Sequence, residues 1–313
     1  MPSSSLPALN YLTSDAGYID YRPVVNAAGD TVIFERTPLS GGPTTLQVID
    51  NFSTPNPAPF LSGTTPASQT RPDWCWQTGN ILFNGATSNS SAVSVWLTAD
   101  GTNPKQIPGT TGASYPRWDL EGAHFVSENS GTAATIKPCN TIFNLDGSVN
   151  TANIDGNDSG NVAMYGGMPG VSRDDLPLIA YAGQPVISGG WIPGYNQDFN
   201  YVFLNSLNNG VYSSTPMEPD APIGAFNPAY QGRAPDWSPD GTTIAFESNR
   251  SGRGYAIYLS NLQAGTVTQV TDPYLNAQHA RFFPGGTKLI LGIQLTCSAP
   301  AMGIAWVDVS SLL

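Results

Sequence analysis

Histidine and cysteine are scarce: the 313 residues contain two histidines and three cysteines. Two separated histidines cannot build a three-histidine metal site, so only mixed histidine–carboxylate sites are open to the chain. Cys75, Cys139 and Cys297 make an odd count without a CxxC pair, which speaks against a zinc site or a disulfide framework and leaves at most one disulfide. Charge is sparse as well, at 11% of residues, and what there is leans acidic, with a formal net charge of -11. That balance argues against nucleic acid or an anionic membrane as a partner and favours solubility. No run is long and apolar enough to span a bilayer, and Met1-Pro-Ser-Ser-Ser-Leu-Pro-Ala lacks the basic and apolar regions of a signal peptide. No stretch combines helical periodicity with good helix formers.

What is abundant is glycine (33) and proline (27), set among serine, threonine and asparagine. The combination predicts many turns and short strands. Low lysine content with many small polar residues points to a periplasmic or extracellular protein, Met1 standing in for a removed leader. The densest pattern runs from Arg233 to Thr271. Pro235–Trp237 predicts a strand, Ser238-Pro-Asp-Gly241 a tight turn, and Ile244–Glu247, Ala256–Leu259 and Val267–Val270 three further strands. Such a four-stranded unit cannot bury both faces alone and needs copies of itself alongside.

This stretch resembles the repeat of the TolB-type β-propellers on Pro235, Trp237, Ser238, Pro239, Asp240, Gly241, Ile244–Phe246, Ser248, Arg250, Ile257, Tyr258 and Val270-Thr271. The rest of the chain follows the pattern more loosely. Units start near residues 21, 71, 115, 168, 233 and 279, the fourth degenerate, with Asp174-Asp175 at its turn. Insertions are expected around Asn140–Gly167 and Gly183–Gly232. The resemblance implies one all-β domain over residues 1–313, a six-bladed β-propeller of four-stranded antiparallel blades. Residues 8–13, ending in a Leu-Thr pair, are expected to complete the last blade and close the ring, removing an exposed edge. TolB proteins carry a further N-terminal domain with no counterpart in these residues, so their partner and envelope role do not carry over.

The arginines are the most informative polar residues. Arg22, Arg71, Arg117, Arg233 and Arg281 fall near the starts of innermost strands, with Asp73 and Asp236 at the position of Arg117 and Arg281. One reading is a ring of alternating charge that holds an anionic or polar ligand at a channel mouth. The other is a set of ion pairs between adjacent units that seals the channel. His279 starts an innermost strand near that mouth, whereas His124 lies within a second strand. Trp74, Trp118 and Trp237 recur in register as packing residues, while Trp76 replaces a turn proline. Trp191, with Tyr195, Phe199 and Tyr201, marks an aromatic insertion suited to binding. Asp146–Gly160 is rich in oxygen ligands, but has no glutamate at the twelfth position of a calcium loop; a solvated hairpin is the simpler reading, and no cofactor is expected beyond such an ion.

There is no GxSxG elbow. The propeller-type oligogalacturonate lyases use a histidine-rich metal centre for which this chain lacks the histidines. The residues favour a non-catalytic, monomeric binding propeller recognising a protein or glycan through one channel face and its loops. The alternative is a lyase or hydrolase acting on a carboxylated sugar, with Asp73, Asp236 or His279 as acid or base.

Overall fold

A computed structural model describes residues 6–88, 92–129, 139–158, 164–172, 178–185, 201–218, 230–296 and 300–313. The chain begins with β1 (Leu9–Tyr11), β2 (Tyr18–Val25), β3 (Val32–Pro38), β4 (Thr45–Ile49) and β5 (Ala58–Pro59). Next come β6 (Ser68–Trp74), β7 (Ile81–Ala86), β8 (Ser94–Thr98) and β9 (Lys105–Gln106). They are followed by β10 (Ala113–Trp118), β11 (His124–Asn129), β12 (Cys139–Asn144) and β13 (Val149–Thr151). The fourth group is β14 (Asn157–Asp158), β15 (Met164–Val171), β16 (Ile179–Pro185), β17 (Tyr201–Asn208) and β18 (Val211–Pro216). β19 (Gly232–Trp237), β20 (Thr243–Ser248), β21 (Ala256–Asn261) and β22 (Thr266–Gln269) form the fifth, and β23 (Gln278–Phe282), β24 (Lys288–Gln294) and β25 (Met302–Asp308) end the chain.

The strands are all antiparallel meanders save two parallel contacts, and the arrangement is that of a β-propeller. Its sheets correct the expected six closed four-stranded blades. Among the described residues there are four separate blades, β6–β9, β10–β13, β14–β18 and β19–β22, plus one open eight-stranded sheet. That sheet forms because β2 and β25 pair in parallel at Ile19 and Met302, which joins the first and last units into one hydrogen-bonded system. β1 does lie antiparallel on β25, with Leu9 opposite Val307 and Tyr11 opposite Ala305. Leu12 and Thr13 N–H groups both donate to Ile304 O, and Thr13 Oγ1 accepts from Ile304 N at 2.9 Å.

The fourth blade carries five strands. The segments expected as insertions hold its third and fourth strands, β17 and β18, and the outer strands β12–β14. Their sequences, such as VYSSTP and CNTIFN, are too polar to show a clean alternation, and pairing to neighbours holds them in place. Tyr201, expected in a loop, is buried in β17 and packs edge-on against Tyr230.

The core is divided. Separate apolar clusters sit between successive units, for example Val24, Ile33, Phe83 and Trp96 between the first two, and Ala180, Trp237, Ile244 and Phe246 between the fourth and fifth. The Ser238-Pro-Asp-Gly turn fits its expected chemistry. Gly241 takes φ +70°, and Asp240 Oδ1 accepts from Ser238 Oγ, Thr242 N and Thr242 Oγ1. Trp118 and Trp237 are buried as packing residues, and Trp74 packs against the first cluster.

Candidate functional site

The innermost strands β2, β6, β10, β15, β19 and β23 share one irregularity. Each slips register against its partner strand, and the slip contains a residue in the left-handed region: Arg22, Arg71, Tyr115, Met168, Ala234 and His279, with φ between 47° and 53°. Five of the six precede a proline. A non-glycine residue in this region costs about 1 kcal/mol or more, so something must hold it. At four of the six the holder is a side chain from the second strand of the preceding unit. Glu35 Oε1 accepts from Arg71 N at 2.5 Å, Asn84 Oδ1 from Tyr115 N at 3.0 Å, and Glu247 Oε2 from His279 N at 2.6 Å. Glu128 accepts from Met168 N in the same way.

These bulges turn side chains from all six innermost strands toward one space. Arg22, Arg71, Tyr115, Met168, Ala234 and His279 line about 330 Å³ of it, part of that volume continuous with solvent. Above it, Tyr21 OH donates to Gln278 Oε1, and Arg233 reaches both Glu247 and Gln278. The Arg22 guanidinium donates to Glu35 Oε2 at 3.0 Å and to Tyr115 OH at 3.2 Å, and lies 4.5 Å from the Tyr21 ring centre. The Arg71 guanidinium lies 4.3 Å from the ring centre of Tyr115.

The left-handed positions form the wall, and the positions two residues on form its floor. There Asp73 Oδ1 accepts from Arg117 at 2.9 Å and Asp73 Oδ2 from Trp118 N at 2.8 Å. Asp236 repeats the arrangement with Arg281 at 2.8 Å and Phe282 N at 2.9 Å. Arg281 also approaches Asp73 at 4.0 Å, and Arg117 donates to Pro169 O. Arg281 faces a second, smaller space of about 240 Å³ beyond the floor, lined by Asp73, Asp236, Trp74, Trp76 and Val25. Trp76 is anchored there by its Nε1–H donating to Val25 O at 2.8 Å.

Charge matching is incomplete in the wall. Arg22 is paired with Glu35 and Arg233 with Glu247. Arg71 has Asn84, not a glutamate, on its own second strand, and makes no ion pair within 4.0 Å among the described residues; its buried Nε has no hydrogen-bond partner. Glu128 is the converse. Its own innermost strand offers Ser114 and Tyr115 where the first, second and fifth units offer arginine, and its buried Oε2 has no hydrogen-bond partner. Burial pushes the Glu128 carboxyl up to about 7, the Arg71 field opposing it. His279 is buried against Tyr21, with ring centres 4.7 Å apart, and burial followed by the fields of Arg22 and Arg233 holds its imidazole well below its usual range. It is a neutral ring at physiological pH.

The expected site residues therefore separate into two levels. Arg22, Arg71 and His279 stand at the left-handed positions and Arg233 one residue before its own, all in the wall. Asp73, Arg117, Asp236 and Arg281 interlock in the floor. Trp191, Tyr195, Phe199 and the turn at Asp174-Asp175 lie outside the described residues, as does Cys297. His124 sits apart on β11, with Nδ1 3.1 Å from Asp119. In the oxygen-rich segment, Asp146 caps its own turn through Ser148, while Asp155 is fully buried and accepts from Asn140 N and Nδ2. Among the described residues no three His, Cys, Asp or Glu side chains converge as metal ligands. Cys75 and Cys139 are free thiols. The sequence reading missed Glu35, Glu128, Glu247, Tyr21 and Tyr115. The signal was present in three units: Phe34-Glu35, Phe83-Asn84 and Phe246-Glu247 place an acceptor directly after the apolar triplet of the second strand.

No protein-family model matches the sequence, and no curated protein matches it either. Solved structures do. A protein assigned as TolB from Agrobacterium tumefaciens aligns with a TM-score of 0.56 at 16% identity, over 82% of this chain and 79% of that one. TolB from Acinetobacter baumannii gives 0.55 at 16% identity, over 97% of this chain and 65% of that one. An oligogalacturonate lyase from Vibrio parahaemolyticus gives 0.55 at 11% identity, over 98% and 94%. At such identities the likeness shows the fold, which is TolB-like. No helix among the described residues is long and apolar enough to cross a membrane.

Proposed function

We propose that this chain is a non-catalytic, monomeric binding protein that takes an anionic group of its ligand at the channel mouth walled by Arg22, Arg71, Tyr115 and His279. The observation that supports it is Arg71. A guanidinium partly withdrawn from water is normally matched by a carboxylate, as Arg22 and Arg233 are here. Arg71 instead rests on an aromatic face beside open space, which leaves its fork free for a bidentate contact to an incoming carboxylate. The floor residues play a different part in this reading: their charges are already matched, so they close the channel and set its depth. A TolB-like fold and an acidic, lysine-poor composition support a periplasmic or extracellular location.

The test is a thermal-shift series with simple carboxylates, uronate oligomers and neutral oligosaccharides against wild type and Arg71→Ala. A ligand at a hundredfold its Kd should stabilise the wild type by about 2.7 kcal/mol. The shift should appear only with carboxylated compounds and vanish in the variant. Equal shifts in both proteins would overturn the reading.

One observation favours a second reading, a lyase or hydrolase acting on a carboxylated sugar. Glu128 is a buried carboxyl raised to about 7 in the field of an unpaired arginine, and a general acid or base works best near the operating pH. Turnover of oligogalacturonate by the wild type that is lost in both Arg71→Ala and Glu128→Gln would establish it.

A further inference from the structure

Arg71 and Glu128 are two halves of a pair that the repeat makes elsewhere. In the first unit, arginine at the left-handed position meets glutamate on the second strand of the same unit: Arg22 and Glu35. In the fifth unit, Arg233 and Glu247 do the same from one residue earlier. The second unit keeps the arginine and replaces the glutamate with Asn84; the third keeps the glutamate and replaces the arginine with Tyr115. A cation and an anion are thereby left unmatched in neighbouring units, with the Tyr115 ring beneath the cation. They feel each other's field yet form no ion pair within 4.0 Å, and each keeps a buried polar atom without a partner, Arg71 Nε and Glu128 Oε2.

Gly167 shows where the carboxyl points. Its equivalents in the other units include Tyr21, Arg233 and Gln278, whose side chains reach one another across the mouth. A Cβ on Gly167 would fall 2.1 Å from Glu128 Oε2. The Glu128 carboxyl therefore occupies the place from which a side chain of β15 would enter the mouth. It belongs to the same wall as Arg71.

Building on the anion-binding reading above, we propose that the mouth recognises a small zwitterion of the α-amino-acid type, its carboxylate held by Arg71 and its ammonium by Glu128. A simple anion would satisfy Arg71 and leave Glu128 unmatched, and a simple cation would do the reverse. A ligand carrying both charges on adjacent groups completes both, at a site bordered by the Tyr115 ring on which Arg71 rests. The groups facing Glu128 are Arg71 from β6, Ser114 from β10, the Met168 N–H from β15, and Cys139 with Asp155 from the β12 side. Arg71 is the only cation among them, so the ammonium has no protein competitor for the free oxygen.

The experiment is isothermal titration of the intact chain with a panel of free L-α-amino acids and, for each binder, its N-acetyl and its methyl ester forms. Wild type should bind a free amino acid, and each modification should weaken it by at least about tenfold. Glu128→Gln should abolish the discrimination against N-acetylation while keeping that against esterification; Arg71→Ala should do the opposite. The affinity of the free amino acid should rise from about pH 5.5 to about pH 8 in the wild type, as Glu128 ionises, and stay flat in Glu128→Gln. Near-ultraviolet circular dichroism of each variant confirms that it is folded. If N-acetyl forms or plain carboxylates bind as tightly as free amino acids, with Arg71 still required, the zwitterion proposal fails and the anion reading stands. If no carboxylate binds in an Arg71-dependent way, both fail.

Discussion

Glu128 shows how a single side chain couples this fold to pH. Its carboxyl is raised by burial to about 7, and Asp155 is raised to about 7 by the same cause, against the hydrogen bonds from Asn140. In the unfolded chain both titrate near 4, so between pH 4 and 7 the folded protein binds more protons than the unfolded one. What these two groups contribute to stability is therefore fully present below that window and is lost as pH rises through about 7, whereas the buried neutral His279 acts in the opposite sense, adding stability as pH rises through the usual imidazole range. Glu128→Gln should remove much of this slope and be more stable than wild type at about pH 8, by an amount on the order of 1–2 kcal/mol. Urea unfolding of wild type and Glu128→Gln at several pH values measures it, and a stability difference between the two that does not grow from pH 5 to 8 would contradict the assignment. A residue whose removal stabilises the protein is one kept for something other than stability.

At the scale of strands, the unit from Arg233 to Thr271 was legible because local signals agreed: a Pro-Asp-Gly turn, β-branched and aromatic triplets, and a polar turn before Tyr255. The observed β20–β22 fall within one or two residues of the expected strands, and β19 starts three residues before the expected Pro235. β17 and β18 were not legible. β17 opens on the unbroken apolar run Tyr-Val-Phe-Leu and β18 is mostly Ser and Thr, bonded across the sheet as in Ser206 to Ser213, so neither shows the alternation that marks a strand. The candidate site was legible only in part, because a bulge shifts register by one step and places residues aligned by sequence on different levels. Arg71 and Arg117 both fall near strand starts in the sequence, yet they stand two residues apart in the repeat, and the bulge puts them on different levels. β1 gave itself away by its Leu-Thr pair. Removing residues 1–13 strips Ile304 of both its backbone partners and its Thr13 contact, and takes buried Leu12 from its cluster. The truncated protein should melt several degrees lower; Leu12→Ala alone should cost about 2–3 kcal/mol.

For the whole molecule, the floor of matched charges is the contact that ties distant units together. Asp73 and Arg281 are separated by most of the chain and still approach to 4.0 Å, while Asp236 and Arg281 bond at 2.8 Å. Asp236→Ala would leave a guanidinium and the Phe282 N–H without their acceptor in a buried setting, at a cost of about 3 kcal/mol in denaturant unfolding. The same change should leave ligand affinity at the wall nearly unaltered, since Asp236 itself lines the smaller space beyond the floor and Arg281, which borders both spaces, keeps its approach to Asp73. A binding loss comparable with that of Arg71→Ala would assign the floor to the ligand as well.

The acceptors that hold the left-handed residues all point one way along the chain: Glu35 serves Arg71, Asn84 serves Tyr115, Glu128 serves Met168, and Glu247 serves His279. Each of these four segments, emerging from the ribosome, thus finds the group that shapes its bend already made. The order of translation is also an order of instruction. A circular permutant that separates Glu35 from Arg71 by nearly the full chain would keep every contact of the finished protein and lose this timing, so its refolded product should match the parent while its yield during synthesis falls.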